Sequence, residues 1–348
     1  MDIEENTSPR IQNTSNEARP PVSGLNNKSS EGRNSIGDHK FSFHGSYKQY
    51  LGLSLYNLLL TVITLGLYYP WAKCAIRKFL LQETEVDGSR FEWHGTGKEM
   101  FRGFIKAYLV FGTLILTINF GPMFLPPSVV LWVIFGAYLL IIAFIPLAIH
   151  GMMRYRLSRT SLRGIHFGYR GVLKDFYKKT SLDFLWTILS FGIYNSWLQI
   201  NMRKYVLKHS KYGNVSAKFT ASGGDLFWLT ILQSILIMIT LYIYIPWAII
   251  RFFKFYVENT LIIQNEKSYQ LKTNASGGAY FWTLIKAAFL TVVTLGIAGP
   301  IANLMIHKYF TESMSLSGGF NFDIIEQTET AYNDATGDDM ADILDLDF

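Results

Sequence analysis

The sequence predicts an all-α polytopic membrane protein, with about six transmembrane or re-entrant helices in five degenerate repeats and short β-hairpin-like links. Three observations predict this. Runs nearly free of charge occur at 51–72, 107–120, 129–149, 184–200, 226–250 and 287–306, and a bilayer core requires about 20 apolar residues in a helix. A Gly/Pro/Trp signature closes the first run and returns along the chain. Each return is followed by basic residues, as at cytoplasmic membrane edges.

The signature is Thr64-Leu-Gly-Leu-Tyr-Tyr-Pro-Trp71. With Trp71 as the marker, the matching positions are Leu147, Trp197, Trp247 and Ile301, at spacings of 76, 50, 50 and 54 residues. The residue before the marker is Pro70, Pro146, Ser196, Pro246 or Pro300, and Gly66, Gly192 and Gly296 stand five before it. Eight after it come Phe79, Tyr155, Tyr205, Phe255 and Tyr309, each preceded by a base: Lys78, Arg154, Lys204, Lys254 and Lys308. Thirteen after stand Thr84, Thr160, Ser210, Thr260 and Met314, and seventeen after stand Gly88, Gly164, Asn214, Gln264 and Gly318. A second echo pairs Ala221-Ser-Gly-Gly-Asp-Leu-Phe-Trp228 with Ala275-Ser-Gly-Gly-Ala-Tyr-Phe-Trp282. Convergence of membrane-helix ends on Pro, Trp and Arg would explain the edges, but not the polar positions beyond the aromatic.

The distribution of charge divides the chain. Residues 1–40 are polar, rich in Asn, Ser, Glu and Pro, and without an apolar period. They read as a disordered tail, and they lack the apolar core of a signal peptide. Residues 41–322 form the repeat-built transmembrane domain and carry a net charge of about +16. Residues 323–348 form an acidic tail with nine acids and no Lys or Arg. It reads as solvated chain, with a motif for a basic partner or a clamp on the protein's own basic face as the sharper alternatives. Cys74 is the single cysteine, so an intramolecular disulfide and a thiolate metal cluster are both excluded.

Each unit reads in order as an apolar helix, a Gly/Pro break, a short basic helix and an extended link. The links alternate apolar and polar residues, as in Phe41-Ser-Phe-His-Gly45 and Phe91-Glu-Trp-His-Gly95, and Asp87-Gly88 marks a hairpin turn. The second unit is longer, with two full apolar helices at about 101–120 and 129–150 and an uncharged Pro-rich link at 119–128. The positive-inside rule puts every basic junction in the cytoplasm. One account of this has helices breaking at the Gly/Pro points and turning back as re-entrant or tilted hairpins. The other has simple crossings that alternate and leave some basic junctions outside. The first is favoured, because the 29 residues from Leu51 to Phe79 are too few for two full crossings at about 1.5 Å rise per residue.

Two sets of residues are candidates for a site. The basic-aromatic positions Arg77, Phe79, Arg154, Tyr155, Arg203, Tyr205, Lys254, Phe255, Lys308 and Tyr309 fit a lipid rim or substrate site, with membrane-edge anchoring as the plainer reading. The helix breaks at Gly66, Pro70, Pro146, Gly192, Pro246, Gly296 and Pro300 resemble the interrupted helices of transporters. Charges inside the apolar runs are nearly absent, with Asp183, Lys286 and Lys106 at run ends, which weighs against ion-coupled transport. His44 and His94 occupy matching places, but no acid or cysteine stands at ligand spacing. No catalytic or phosphate-cradling motif is present. The Ser-Gly-Gly pairs suit helix starts. The basic charge lies at membrane edges, so lipid rather than nucleic acid explains it.

Phe41-x-Phe-x-Gly45, Thr64-Leu-Gly-Leu-Tyr-x-Pro-Trp-Ala72, Arg77, Thr84, Gly88 and Phe91, with weaker copies to Phe322, resemble the YjgN family of bacterial inner-membrane proteins. The third and fifth copies depart from the pattern at Ser196, Ala298 and Ile301, which puts a fivefold-equivalent site in doubt. The resemblance implies a multi-pass protein of the bacterial cytoplasmic membrane without an assigned biochemical activity, and it supplies no catalytic residues. The expectation is a non-enzymatic scaffold or partner-binding protein without metal or cofactor, with membrane lipids, anionic headgroups among them, and a protein at the acidic tail as partners. The alternative is a lipid or amphiphile transporter or channel.

Overall fold

In a computed structural model, residues 37–328 are described. The predicted disordered tail, apart from its last four residues, and the acidic tail beyond Thr328 lie outside the described residues. Ten short strands close into an antiparallel barrel in the order β1-β10-β9-β8-β7-β6-β5-β4-β3-β2. They are β1 (His39–Phe43), β2 (Thr84–Val86), β3 (Ser89–Trp93), β4 (Thr160–Leu162), β5 (Ile165–Tyr169), β6 (Ser210–Tyr212), β7 (Val215–Phe219), β8 (Thr260–Gln264), β9 (Lys267–Thr273) and β10 (Met314–Leu316). Every strand pairs with its sequence neighbour, and β1 closes on β10 through His39↔Leu316 and Lys40↔Ser315. Sequence reasoning read these strands as links of an all-α protein; the closed barrel overturns that expectation. A barrel has no free edge to protect, so strands as short as three residues suffice.

Five helix pairs are inserted between strands. They are α1 (Tyr47–Ile63) with α2 (Tyr69–Gln82), α3 (Gly97–Phe124) with α4 (Pro127–Ser158), α5 (Leu173–Leu189) with α6 (Asn195–His209), α7 (Gly223–Ile239) with α8 (Ile245–Glu258), and α9 (Gly277–Val293) with α10 (Gly299–Glu312). In an antiparallel meander the connections alternate between the two ends. The helix pairs fill every second connection and two-residue turns fill the others. All five helix pairs therefore leave from one end of the barrel, and the turns at Asp87-Gly88, Arg163-Gly164, Gly213-Asn214 and Asn265-Glu266 sit at the other.

Four of the apolar runs are each two helical arms joined by a tight turn at the expected break. α1 ends in a Schellman turn: Gly66 N donates to Thr61 O at 2.7 Å and Leu65 N to Val62 O at 3.1 Å. Gly66, Gly192 and Gly296 hold φ near +90° there, a region that a side chain disfavours. The residue just before each glycine, Leu65, Phe191 or Leu295, is itself left-handed, as is Leu241 in the fourth such turn. Pro70, Pro246 and Pro300 occupy the first turn of the returning helix, where a missing N–H costs no bond. Pro146 differs: α4 runs through it without a break. Among the described residues, one helix, 128–158, is long and apolar enough to cross a membrane by itself.

The inward face of the barrel is built from cross-strand pairs: Phe41↔Val86, Phe91↔Leu162, Phe167↔Tyr212, Ala217↔Ile262 and Leu271↔Leu316. Each joins the strand before a helix pair to the strand after it. Residues 317–328 then cross the turn end. Phe320, Phe322 and Ile325 are buried there with Val86, Leu162 and Tyr212.

Candidate functional site

The barrel interior encloses a chamber of about 640 Å³. Its walls are the inward strand residues together with Lys211 and Ser216, with Phe320 and Phe322 at the turn end. At the helix end it is bounded by Leu157 of α4, Arg203 and Leu207 of α6, and Phe253, Tyr256 and Val257 of α8. Tyr212 stands inside with its hydroxyl donating to Leu162 O at 2.9 Å, and burial pushes its phenol up to about 12. The Arg203 guanidinium lies over the rings of Tyr256 and Phe219, at 4.7 and 5.1 Å.

A second cavity of about 460 Å³ lies at the same mouth, lined by Lys73, Arg77, Trp93, Arg156 and His307 among others. Thr84 and Thr160 line this one, and Ser210, Thr260 and Met314 line the chamber. These five residues open β2, β4, β6, β8 and β10, and they are the residues thirteen after the marker. The four hydroxyls each donate to the carbonyl four residues back, in the last turn of the preceding helix, at 2.7 or 2.8 Å.

The turn end is held shut by polar contacts. His39 bonds the Phe320 carbonyl at 2.9 Å and Asp87 at 3.0 Å. The Arg163 guanidinium meets Asp87 at 2.6 Å and Asp323 at 2.8 Å, and it lies 5.0 Å from the Phe322 ring. Gln264 donates to Asn321 O at 2.7 Å, and Thr328 donates to Gly213 O at 2.7 Å. The first six residues of the expected acidic tail thus pack on the protein's own barrel.

The ten basic-aromatic candidates are not brought together. Arg77 lies over Trp93 at 5.0 Å and faces the smaller cavity, while Arg203 faces the chamber. Lys308 pairs with Glu312 at 3.6 Å on the same helix. Arg154 and Lys254 line neither cavity. The aromatics hold neighbouring elements instead. Tyr205 OH donates to Val172 O at 2.9 Å and Tyr309 OH to Ser276 O at 2.8 Å, both at the start of the tyrosine's own helix pair. Tyr155 reaches Thr96 O at 3.4 Å. Phe79 packs with Phe43 and Tyr50, and Phe255 with Phe219. The marker tryptophans join units: a Cβ on Gly97, Gly223 or Gly277 would collide with Trp71, Trp197 or Trp247. Ser222 and Ser276 cap α7 and α9.

Sequence reasoning passed over the hydroxyls at the tips. Thr64 Oγ1 donates to Leu60 O at 2.7 Å and accepts from Tyr68 N at 3.0 Å, so one side chain clips both arms. Ser190, Thr240 and Thr294 accept from Tyr194, Tyr244 and Ala298 in the same way, at 2.9, 3.2 and 3.0 Å. The signal was available, since a hydroxyl stands seven before the marker in four copies. Asp183, seven residues before Ser190, is buried and accepts from Tyr194 OH and Asn201 Nδ2 at 3.3 and 3.0 Å.

The site therefore defines a class: a small closed barrel with an apolar chamber and paired apolar helices projecting from one end. The chain belongs to the family described as "Bacterial protein of unknown function (DUF898)", whose model matches residues 38–238 and 263–343. It is similar to the Inner membrane protein YjgN of Escherichia coli strain K12, 31% identical over 142 residues, which are 41% of this chain and 34% of that protein. The YjgN proteins of Escherichia coli O157:H7 and Salmonella typhimurium strain LT2 are 30% identical over 139 and 133 residues, 40% and 38% of this chain and 33% and 32% of theirs. The chain covers about a third of the length of these curated relatives. No solved structure matches. The YjgN resemblance stands, and the location it carries is the bacterial inner membrane.

Proposed function

We propose that this protein is a non-enzymatic binder of amphiphiles drawn from the bilayer, with the acyl or other apolar chain held inside the barrel. The observation that carries the reading is the chamber, whose volume falls within the range of ligand pockets, about 300–1,000 Å³. Side chains of α4, α6 and α8 bound its helix end, and residues 317–328 cover the opposite end.

In this reading the helix pairs enter the membrane from one face. The arms of α1, α5, α7 and α9 are 17 residues long, about 25 Å, which is short of the hydrocarbon thickness of about 30 Å. Their tips carry Leu65, Phe191, Leu241 and Leu295 at 94, 98, 80 and 93% exposure, a placement that suits lipid and not water. The α3–α4 pair, with 28 and 32 residues, crosses fully. In this reading the five repeats are four hairpins that stop short of a crossing and one that crosses.

The test is lipid carriage by the purified full chain in mild detergent. Native mass spectrometry is expected to show bound amphiphile in the parent protein, reduced at least tenfold in Ala217→Trp, which fills the chamber. A parent protein that carries nothing and binds no fluorescent fatty-acid analogue would overturn the reading. The scaffold reading has a single observation in its favour, a C-terminal segment that already grips a folded surface through Asp323 and Thr328. Pull-downs unchanged by removal of residues 329–348 would remove the tail version of it.

A further inference from the structure

We propose that Lys73, Arg77, Arg156 and His307 form a binding site for the anionic, phosphate-bearing headgroup of the amphiphile; this rests on the reading of the barrel as its chain site. The four residues come from α2, α4 and α10 and line one cavity of about 460 Å³ at the barrel mouth. No Asp or Glu lines that cavity. Among the described residues, Lys73, Arg77 and Arg156 pair with no carboxylate.

The cations are also under-satisfied. Arg156 and Arg77 repel each other. Arg156 Nε is buried and has no hydrogen-bond partner. Arg77 contacts the face of Trp93 at 5.0 Å, and Lys73 the ring of Tyr69 at 5.4 Å. Cation–π contacts leave guanidinium N–H donors free at the rim. Lys73 is exposed, but Arg77 and Arg156 are partly buried, and like charges taken partly out of water are costly without a counter-charge. A phosphate answers this with several acceptor oxygens and a bidentate fit to Arg.

The cavity is placed to serve the chamber. Arg156 lines the one and its neighbour Leu157 the other, and the first residues of alternate strands rim both. A headgroup among the arginines therefore directs its chain toward the barrel. Arg203, at the chamber's own rim with Nε buried and unpartnered, extends the positive surface along that path.

The experiment compares three probes on the full-length protein in detergent: a neutral single-chain lipid, the same chain bearing a phosphate, and inorganic phosphate. Parent protein, Arg77→Gln/Arg156→Gln and Arg77→Lys/Arg156→Lys are measured, with thermal unfolding as the folding control. The phosphate-bearing lipid is expected to bind at least tenfold more tightly than the neutral one. The Gln pair should erase that ratio while neutral binding stays, and the Lys pair, which keeps the charge but not the guanidinium fork, should keep only part of it. Equal binding of the two lipids overturns the headgroup site and leaves the chamber reading intact. Failure of both lipids overturns the chamber reading. Inorganic phosphate binding as tightly as the phosphate-bearing lipid shows a site for free phosphate and overturns the amphiphile version. If the Gln pair does not fold, a folded Lys pair that keeps the full ratio overturns the bidentate recognition.

Discussion

The α1–α2 and α3–α4 pairs make the same connection, from one barrel strand to the next, by different means. α1–α2 turns back within five residues at Thr64–Tyr68, whereas α3 and α4 run for 28 and 32 residues and meet at Leu125-Pro126. The residues explain the difference. Where α1–α2 has Thr64 and Gly66, the matching positions of the second unit are Leu140 and Ile142. Without a hydroxyl to clip two arms and a glycine to take φ near +90°, the helix continues. Both pairs retain proline, at Pro70 and Pro146. A proline at a helix start is tolerated, and one inside a helix bends it more readily than it ends it in an apolar setting. Proline is thus not what turns the chain; the clipping hydroxyl followed by two left-handed residues is, the second being glycine in three turns and Tyr242 in the fourth.

The largest expected effect is topological. In a Cys74→Ser background, a cysteine at Phe124 should label fully with an impermeant thiol reagent added to intact cells, and cysteines at Leu65, Phe191 or Leu295 should stay unlabelled. Labelling at any of the three as strong as at Phe124 would make the short pairs full crossings and erase the comparison. Next is the clip. Thr64→Val or Thr294→Val leaves a backbone N–H without its acceptor in an apolar setting, a loss of about 1–3 kcal/mol, read as a lowered unfolding temperature in detergent. Thr64→Ser should be nearly silent, and equal losses from both substitutions would show that packing rather than the hydroxyl matters.

Glycine gives a comparison of opposite signs. Gly66 and Gly136 each have open space where a Cβ would stand, so only backbone conformation separates them. Gly66→Ala should destabilise by about 1–2 kcal/mol, because it forces an L residue into the left-handed region. Gly136→Ala, inside α4, should stabilise by up to about 1 kcal/mol. Unfolding shifts of the same sign would refute the assignment of the tip as a conformational turn.

The smallest effect concerns pH and the barrel. Burial lowers the His166 pKa, and positive charge on His94 and Arg159 lowers it further. The folded state therefore favours neutral imidazole. This stability is present above the unfolded value of about 6.5 and is lost as pH falls through it toward the lower folded value. His166→Gln should flatten the acid side of the stability profile, and a profile unchanged by the substitution would assign the acid sensitivity elsewhere.

Much of the local structure was legible. Asp87-Gly88 marked a turn that the structure contains. The positions thirteen after the marker, polar in four cases, open alternate strands, because a Thr or Ser there can bond the preceding helix's last-turn carbonyl. The all-α expectation failed for an equally physical reason. Strands of three to seven residues carry too little alternation to outweigh apolar helices of 14 to 32. The site was legible only in part. Arg77 and Arg203 were singled out; His307 stands at the same offset, six after its marker, while Lys73 and Arg156 stand at others, and all three meet Arg77 only because α2, α4 and α10 converge at the mouth.

By itself, the sequence determined where helices start, cap and turn, since those outcomes depend on residues within five of each other: Thr64 with Tyr68, Ser222 with Asp225, Leu65 with Gly66. It also determined that the paired helices are apolar and their junctions basic. The tertiary structure alone decided that the links close a barrel. The bond from β1 to β10 joins residues some 280 apart, and no local pattern records a register set by five helix pairs leaving one end. It also decided which cations share a cavity, because facing the barrel axis depends on how each helix docks on its neighbours.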